Sequence, residues 1–163
     1  MHQLTRTTLL PGRLPDVFAF FKNPRNLETI TPLWLGFRII STSDDAVREG
    51  TRIRYRLRLH GIPMAWESRI TEYADDSHFA DEQIRGPYAR WYHRHIFRAV
   101  PGGVEMTDAA EYRLPLGVLG RLVHWLVVRR QLRAIFDYRN QVIAKQFGSA
   151  VSPASDTASL AAP

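Results

Sequence analysis

The chain of 163 residues contains no cysteine, which excludes a disulfide framework, a cysteine-ligated metal and a thiol nucleophile. It also has no long apolar run. The longest, Leu114 to Val128, is broken by Arg121 and His124 and falls short of the roughly 18 to 20 residues that a membrane span needs. Stable membrane insertion is therefore not expected. The opening residues, MHQLTRTTLLPGRLPD, offer no charged start followed by a continuous apolar stretch, so no secretory signal is read and the cytoplasm is the expected compartment. Acidic residues are the scarcer charge, 16 against 22 lysines and arginines, for a net charge of +6. That balance permits attraction to nucleic acid, anionic lipid or an acidic ligand, and it equally describes a solvated basic face.

What the chain does have is 45% hydrophobic content, enough for one domain with a substantial core in a length too short for two. Gln3 to Leu10 reads as a first strand closed by Pro11-Gly12. Pro15-Asp16 opens a short helix with Val17, Phe18, Phe20 and Phe21 on its apolar stripe, and a second short helix is expected from Arg25 to Ile30. Trp34-Leu35-Gly36 leads back to extended chain. After a short strand over Phe37 to Ser41, Ile53, Tyr55, Leu57 and Leu59 alternate with Arg52, Arg54, Arg56 and Arg58. This is a strand with one core face and one arginine face. No aromatic residue is interleaved on the arginine face to stack bases, so nucleic acid is not an expected partner. His60 to Pro63 turns the chain into Met64 to Tyr73, where Trp66, Ser68 and Ile70 share a face.

The densest stretch is Asp81 to Phe97, DEQIRGPYARWYHRHIF. Gly86-Pro87 breaks two strand-favouring runs into a hairpin, Phe79 to Arg85 and Arg90 to Ala99. Period two places Trp91, His93, His95 and Phe97 on one face and Arg90, Tyr92, Arg94 and Arg98 on the other. Imidazoles where a packing face carries Val, Ile or Leu indicate a lined cavity. Val104 to Leu114 follows, with Met106, Asp108, Ala110 and Tyr112 on one face, for about seven strands in meander order. From Leu116 to Phe147 the period becomes helical. Leu119, Leu122, Val123, Leu126, Leu132, Ile135, Phe136, Val142 and Ile143 form a stripe among basic positions that include Arg139. Residues 148–163 are small, polar and proline-containing, and are expected to be disordered.

Strand, two short helices, antiparallel strands and a long C-terminal helix make an α+β layout, with a curved sheet of about seven strands wrapped around the helix. This resembles the helix-grip fold of the START-like or SRPBCC superfamily, which includes polyketide cyclases and dehydrases, lipid-transfer domains and pollen-allergen-like carriers. The more specific part of the resemblance is Trp66, Phe79-x-Asp81-x-Gln83, Gly86-Pro87-Tyr88, Trp91-x-His93-x-His95-x-Phe97, and Asp108 with Tyr112, Pro115 and Gly117. It implies one domain over residues 1–147 that binds a small hydrophobic or amphipathic molecule (a lipid, quinone or polyketide-like compound) between sheet and helix, as carrier or sensor, without a cofactor.

The candidate ligand contacts are Tyr55, Trp66, Asp81, Gln83, Tyr88 and Trp91, with Phe97, Tyr112, Leu132 and Phe136. Aromatic rings with a polar handle suit such a pocket, and they suit an ordinary core equally well. His93, His95 and Asp108 are the candidate catalytic residues of an alternative reading, a cyclase or dehydrase that takes a proton from carbon. The same three residues also fit a polar network beneath the helix. His-x-His is a metal pair in form, but no third ligand is specified by spacing, so no metal site is assigned. A third reading is a protein-interaction module with a vestigial cavity. Val118 to Arg133 is apolar over more than one face, which fits plain helix packing, a homodimer contact or docking on an anionic membrane.

Overall fold

The computed structural model describes residues 1–59 and 61–148. The expected disordered tail from residue 149, His60 of the expected turn, and the side chains of Leu119, Arg121 and Val123 lie outside the described residues. Seven strands form one antiparallel sheet: β1 (His2–Leu10), β2 (Arg38–Thr42), β3 (Arg52–Leu59), β4 (Ile62–Ala74), β5 (His78–Arg85), β6 (Arg90–Val100) and β7 (Gly103–Arg113). The order across the sheet is β1-β7-β6-β5-β4-β3-β2. Strands β2 to β7 are thus a meander, and β1 returns to the far edge to pair with β7. Gly103 makes that return close: a β-carbon there would lie 2.2 Å from the carbonyl oxygen of Leu10, and φ is +150°, so only glycine fits.

Between β1 and β2 lie α1 (Leu14–Lys22), α2 (Asn26–Thr29) and a single 3-10 turn, Leu33–Leu35. The turn replaces the expected direct passage into extended chain, and Gly36 ends it in the left-handed region, at φ +52°. The long C-terminal helix is one run with a widened turn inside it: α3 (Gly117–Val123), a π-helical turn (His124–Val128) and α4 (Arg129–Phe147). Such π turns rephase the two segments, and the rephasing is visible in burial. Leu132, Phe136 and Ile143 of α4 are buried as expected, whereas Leu122 and Leu126 are exposed together with Trp125. The expected single stripe is therefore corrected to one that begins at Leu132.

The alternation read on the strands is the one observed. Ile53 and Leu57, Trp66 and Ser68, His93 and His95, and Asp108 and Tyr112 face inward and are buried. The outer face carries cross-strand ion pairs, among them Arg94 with Glu72 at 2.6 Å and Arg98 with Glu105 at 2.7 Å. Phe18, Phe21, Phe79, Phe97, Met106 and Ile143 form the apolar core under α1. The core runs up to the site, and Phe21, Ile30, Val47, Ile70 and Phe79 of the core also line the cavity beside it.

Candidate functional site

Three pairings build the site. Asp81 of β5 stands opposite His93 of β6, and His95 stands opposite Asp108 of β7. Period two puts His93 and His95 on the same face, so the four side chains converge on one patch of the concave surface. Arg139 of α4 closes the patch from above, with Nε 3.4 Å from Asp108 Oδ2.

Asp108 is the buried centre. Its Oδ1 lies 2.6 Å from His95 Nδ1 and 3.2 Å from His93 Nε2. A carboxylate only accepts, so a hydrogen bond to Asp108 needs the ring proton on the nitrogen that faces it; at His95 that nitrogen also lies 3.4 Å from the Arg139 guanidinium, which only donates. The alignment is imperfect: His93 Nε2, Asp108 Oδ1 and Arg139 Nε lack a well-directed hydrogen bond. Burial by itself would raise the Asp108 carboxyl, but Arg139 and the two histidines outweigh it and hold it well below its ordinary value. His95 is pushed down to about 3 by burial and by His93, so it is neutral near pH 7. Asp81 is raised by burial. Its Oδ2 accepts from Ser68 Oγ at 2.9 Å, and that oxygen in turn accepts from Trp66 Nε1 at 3.1 Å.

Above this polar floor is a cavity of about 180 Å³. Trp66 is the hub of its aromatic wall, with ring centroids 5.7 Å from Tyr55, 5.5 Å from Tyr88 and 5.4 Å from Trp91. Leu132, Ile135 and Phe136 of α4 form the opposite wall. Of the expected ligand contacts, Tyr55, Trp66, Asp81, Tyr88, Trp91, Leu132 and Phe136 line the cavity, as do His93 and His95.

Gln83, Phe97, Tyr112 and Asp108 are not among the lining residues, and each has a packing reason. Gln83 donates to the Tyr88 carbonyl at 2.7 Å and accepts from the Tyr88 N–H, stapling the β5–β6 loop. A β-carbon at Gly86 would come within 2.3 Å of the Gln83 amide oxygen, which explains the glycine. Phe97 packs between Phe18 and Phe21, each 5.2 Å away. Tyr112 donates to His124 Nε2 at 2.9 Å, and Asp108 lies beneath the two imidazoles. Trp34, an aromatic residue expected to pack in the core, is 54% exposed.

Sequence reasoning missed Arg139 and Ser68. Arg139 reads as one of several surface cations, yet it is only 9% exposed. Its signal was the spacing 132, 136, 139, 143, which places it on the buried stripe.

A curved antiparallel sheet gripping a long helix, with a lined cavity between them, defines the helix-grip fold. The sequence matches the family described as polyketide cyclase / dehydrase and lipid transport over residues 10–136, and the chain belongs to that family. The match stops three residues short of Arg139. No curated protein matches the sequence. Among solved structures, a protein of Thermus thermophilus is similar with a TM-score of 0.67 at 16% identity, over 90% of this chain and 99% of that one. A Chromobacterium violaceum protein gives 0.65 at 13%, over 90% and 96%. The nucleoside-diphosphate sugar epimerase from Corynebacterium glutamicum gives 0.64 at 20%, over 87% of this chain and 28% of that one. At these identities the likeness is one of fold. Among the described residues, no helix is long and apolar enough to cross a membrane.

The buried histidines predict an acid-labile fold. His95 has a folded value of about 3 against 6.5 for a free imidazole, so its contribution is fully present above pH 6.5 and is lost as pH falls toward 3. The unfolded chain takes up that proton first, at about 1.4 kcal/mol per pH unit. His124, pushed down to about 4 by burial and by the stacked His2, acts in the same direction. Asp81 is raised and offsets part of the loss at the acid end. Urea unfolding in metal-free buffer should show about 2 kcal/mol less stability near pH 5 than near pH 7. A flat profile contradicts a buried neutral His95.

Proposed function

We propose that the protein binds a small hydrophobic or amphipathic molecule in the cavity between sheet and C-terminal helix, as carrier or sensor. The supporting observation is the cavity itself, an aromatic and aliphatic chamber above a polar floor of Asp81, His93, His95 and Arg139. That arrangement receives an apolar body and hydrogen-bonds a polar end. Its 180 Å³ is close to the size of the engineered apolar cavity of roughly 150 Å³ that holds one benzene. The entering part is therefore a single ring or a short acyl segment, and a whole lipid, quinone or polyketide needs α4 to move outward.

The enzyme reading has a specific support, since both imidazoles reach the cavity. It is the weaker one on magnitude. A general base works best with a pKa near the operating pH, and His95 lies near 3. The interaction reading rests on the exposed Val118, Leu122, Trp125 and Leu126, the face through which a homodimer would form.

Native mass spectrometry of the purified protein, followed by extraction after denaturation, tests these together. The expected result is a ligand adduct on a monomer or dimer, with a hydrophobic small molecule recovered. The same ligand at about 100 times its Kd adds about 2.7 kcal/mol, a rise in Tm of several degrees. A bare protein that no member of a panel of hydrophobic ligands stabilises would sink the carrier reading.

A further inference from the structure

His-x-His on β6 leaves its third partner unspecified in the sequence, and the pairing of β5 with β6 supplies one. Asp81 Oδ1 lies 3.9 Å from His93 Nδ1 and 3.9 Å from His95 Nε2. One ligand atom from each of the three residues falls within 4.8 Å of the others. The geometry points to a divalent transition-metal site, of the zinc class, held by Asp81, His93 and His95 at the floor of the cavity.

Four independent observations carry this. First, Asp108 Oδ1 sits against the nitrogen of each ring that faces away from Asp81, 3.2 Å from His93 Nε2 and 2.6 Å from His95 Nδ1. Metal-bound histidines characteristically pass their other N–H to a carboxylate in this way. Second, both imidazoles are more than nine-tenths buried, and His93 Nδ1 and His95 Nε2 each face Asp81 Oδ1 at 3.9 Å, beyond hydrogen-bond distance. Third, Asp108 is paired with Arg139, whereas among the described residues the hydrogen bond to Asp81 comes from the neutral Ser68. That bond occupies Oδ2 and leaves Oδ1 turned toward the imidazoles. Fourth, all three residues line the cavity while Asp108 lies behind them, so the remaining coordination positions open toward the bound molecule.

Bonds of about 2.0–2.2 Å to N and O set ligand atoms about 3.4 Å apart in a tetrahedral site. The two separations to Asp81, 3.9 Å each, reach that distance by a shift of about half an ångström, and all three ligand atoms already lie within 4.8 Å of one another. Two histidines, one carboxylate and an open position suit Zn²⁺ or Fe²⁺ rather than Mg²⁺ or Ca²⁺, which prefer all-oxygen shells. An oxygen on the ligand's polar end is the natural occupant of the open position.

The test uses untagged full-length protein stripped by a chelator, titrated with Co²⁺ and then displaced with Zn²⁺. Wild type should take up one equivalent with a visible d–d band. Asp81→Asn and His95→Ala should lower affinity by at least about 100-fold, and Asp108→Asn by about 10- to 100-fold through loss of the supporting carboxylate. His78→Ala, which removes a histidine on the outer face beside Glu72, should leave uptake unchanged. Asp81→Asn preserves shape, and its near-ultraviolet circular dichroism distinguishes lost binding from lost folding. Failure of wild type to bind one equivalent, equal binding by folded Asp81→Asn, or loss in His78→Ala overturns the assignment. None of these outcomes depends on a hydrophobic ligand being found.

Discussion

Replacing Asp108 with alanine is expected to remove about 3–5 kcal/mol of stability, the range for breaking a buried ion pair by deleting one partner. The loss exceeds that of an ordinary hydrogen bond because Arg139 stays buried without its carboxylate partner, left with His95 Nδ1 at 3.4 Å and the Phe21 ring at 6.0 Å. Both imidazoles lose their acceptor in the same change. The double variant Asp108→Leu/Arg139→Met should recover most of the loss, since an apolar pair of similar volume avoids the desolvation penalty altogether. Urea unfolding of wild type and the variants measures this. A single-variant loss below about 1 kcal/mol, or no recovery in the double variant, contradicts the pairing.

Leu132→Trp should abolish binding in the cavity while leaving the fold intact. Leu132 is buried and faces the chamber from α4. An indole there occupies a substantial part of the 180 Å³ that a ligand would use. Filling existing space avoids the usual overpacking penalty of about 1–3 kcal/mol, so stability should change little. Affinity for a single-ring probe such as phenol should fall by about 100-fold, equivalent to about 2.7 kcal/mol. Ile40→Trp, on the exposed face of β2, serves as the control and should bind as wild type. Undiminished binding by Leu132→Trp places the ligand elsewhere.

Much of the site was legible because strands carry information at period two. Once Gly86-Pro87 fixed the β5–β6 hairpin, His93 and His95 had to share a face with Trp91, and the inward faces of β4 and β7 followed from the same alternation. The register of the hairpins, with Asp81 opposite His93 and Asp108 opposite His95, was less visible. Facing pairs depend on where each turn closes, to the residue. The errors have the same root. Gln83, Phe97 and Tyr112 all sit at strand positions compatible with a pocket, and packing assigned them to a loop staple, the core and a bond to His124.

By itself the sequence determined the element types, the curved antiparallel sheet closed by a long C-terminal helix, and the polar aromatic face of β6. These are local properties of alternation, turn chemistry and helical period. Only the tertiary structure decided the rest. It seated Arg139 over Asp108, interrupted the helix with a π turn that leaves Trp125 and Leu126 outside, and brought Asp81 to the two imidazoles. Each depends on the angle at which one element crosses another. A helix facing the sheet can turn either a cation or a leucine inward, and the choice is made by the buried carboxylate it must neutralise.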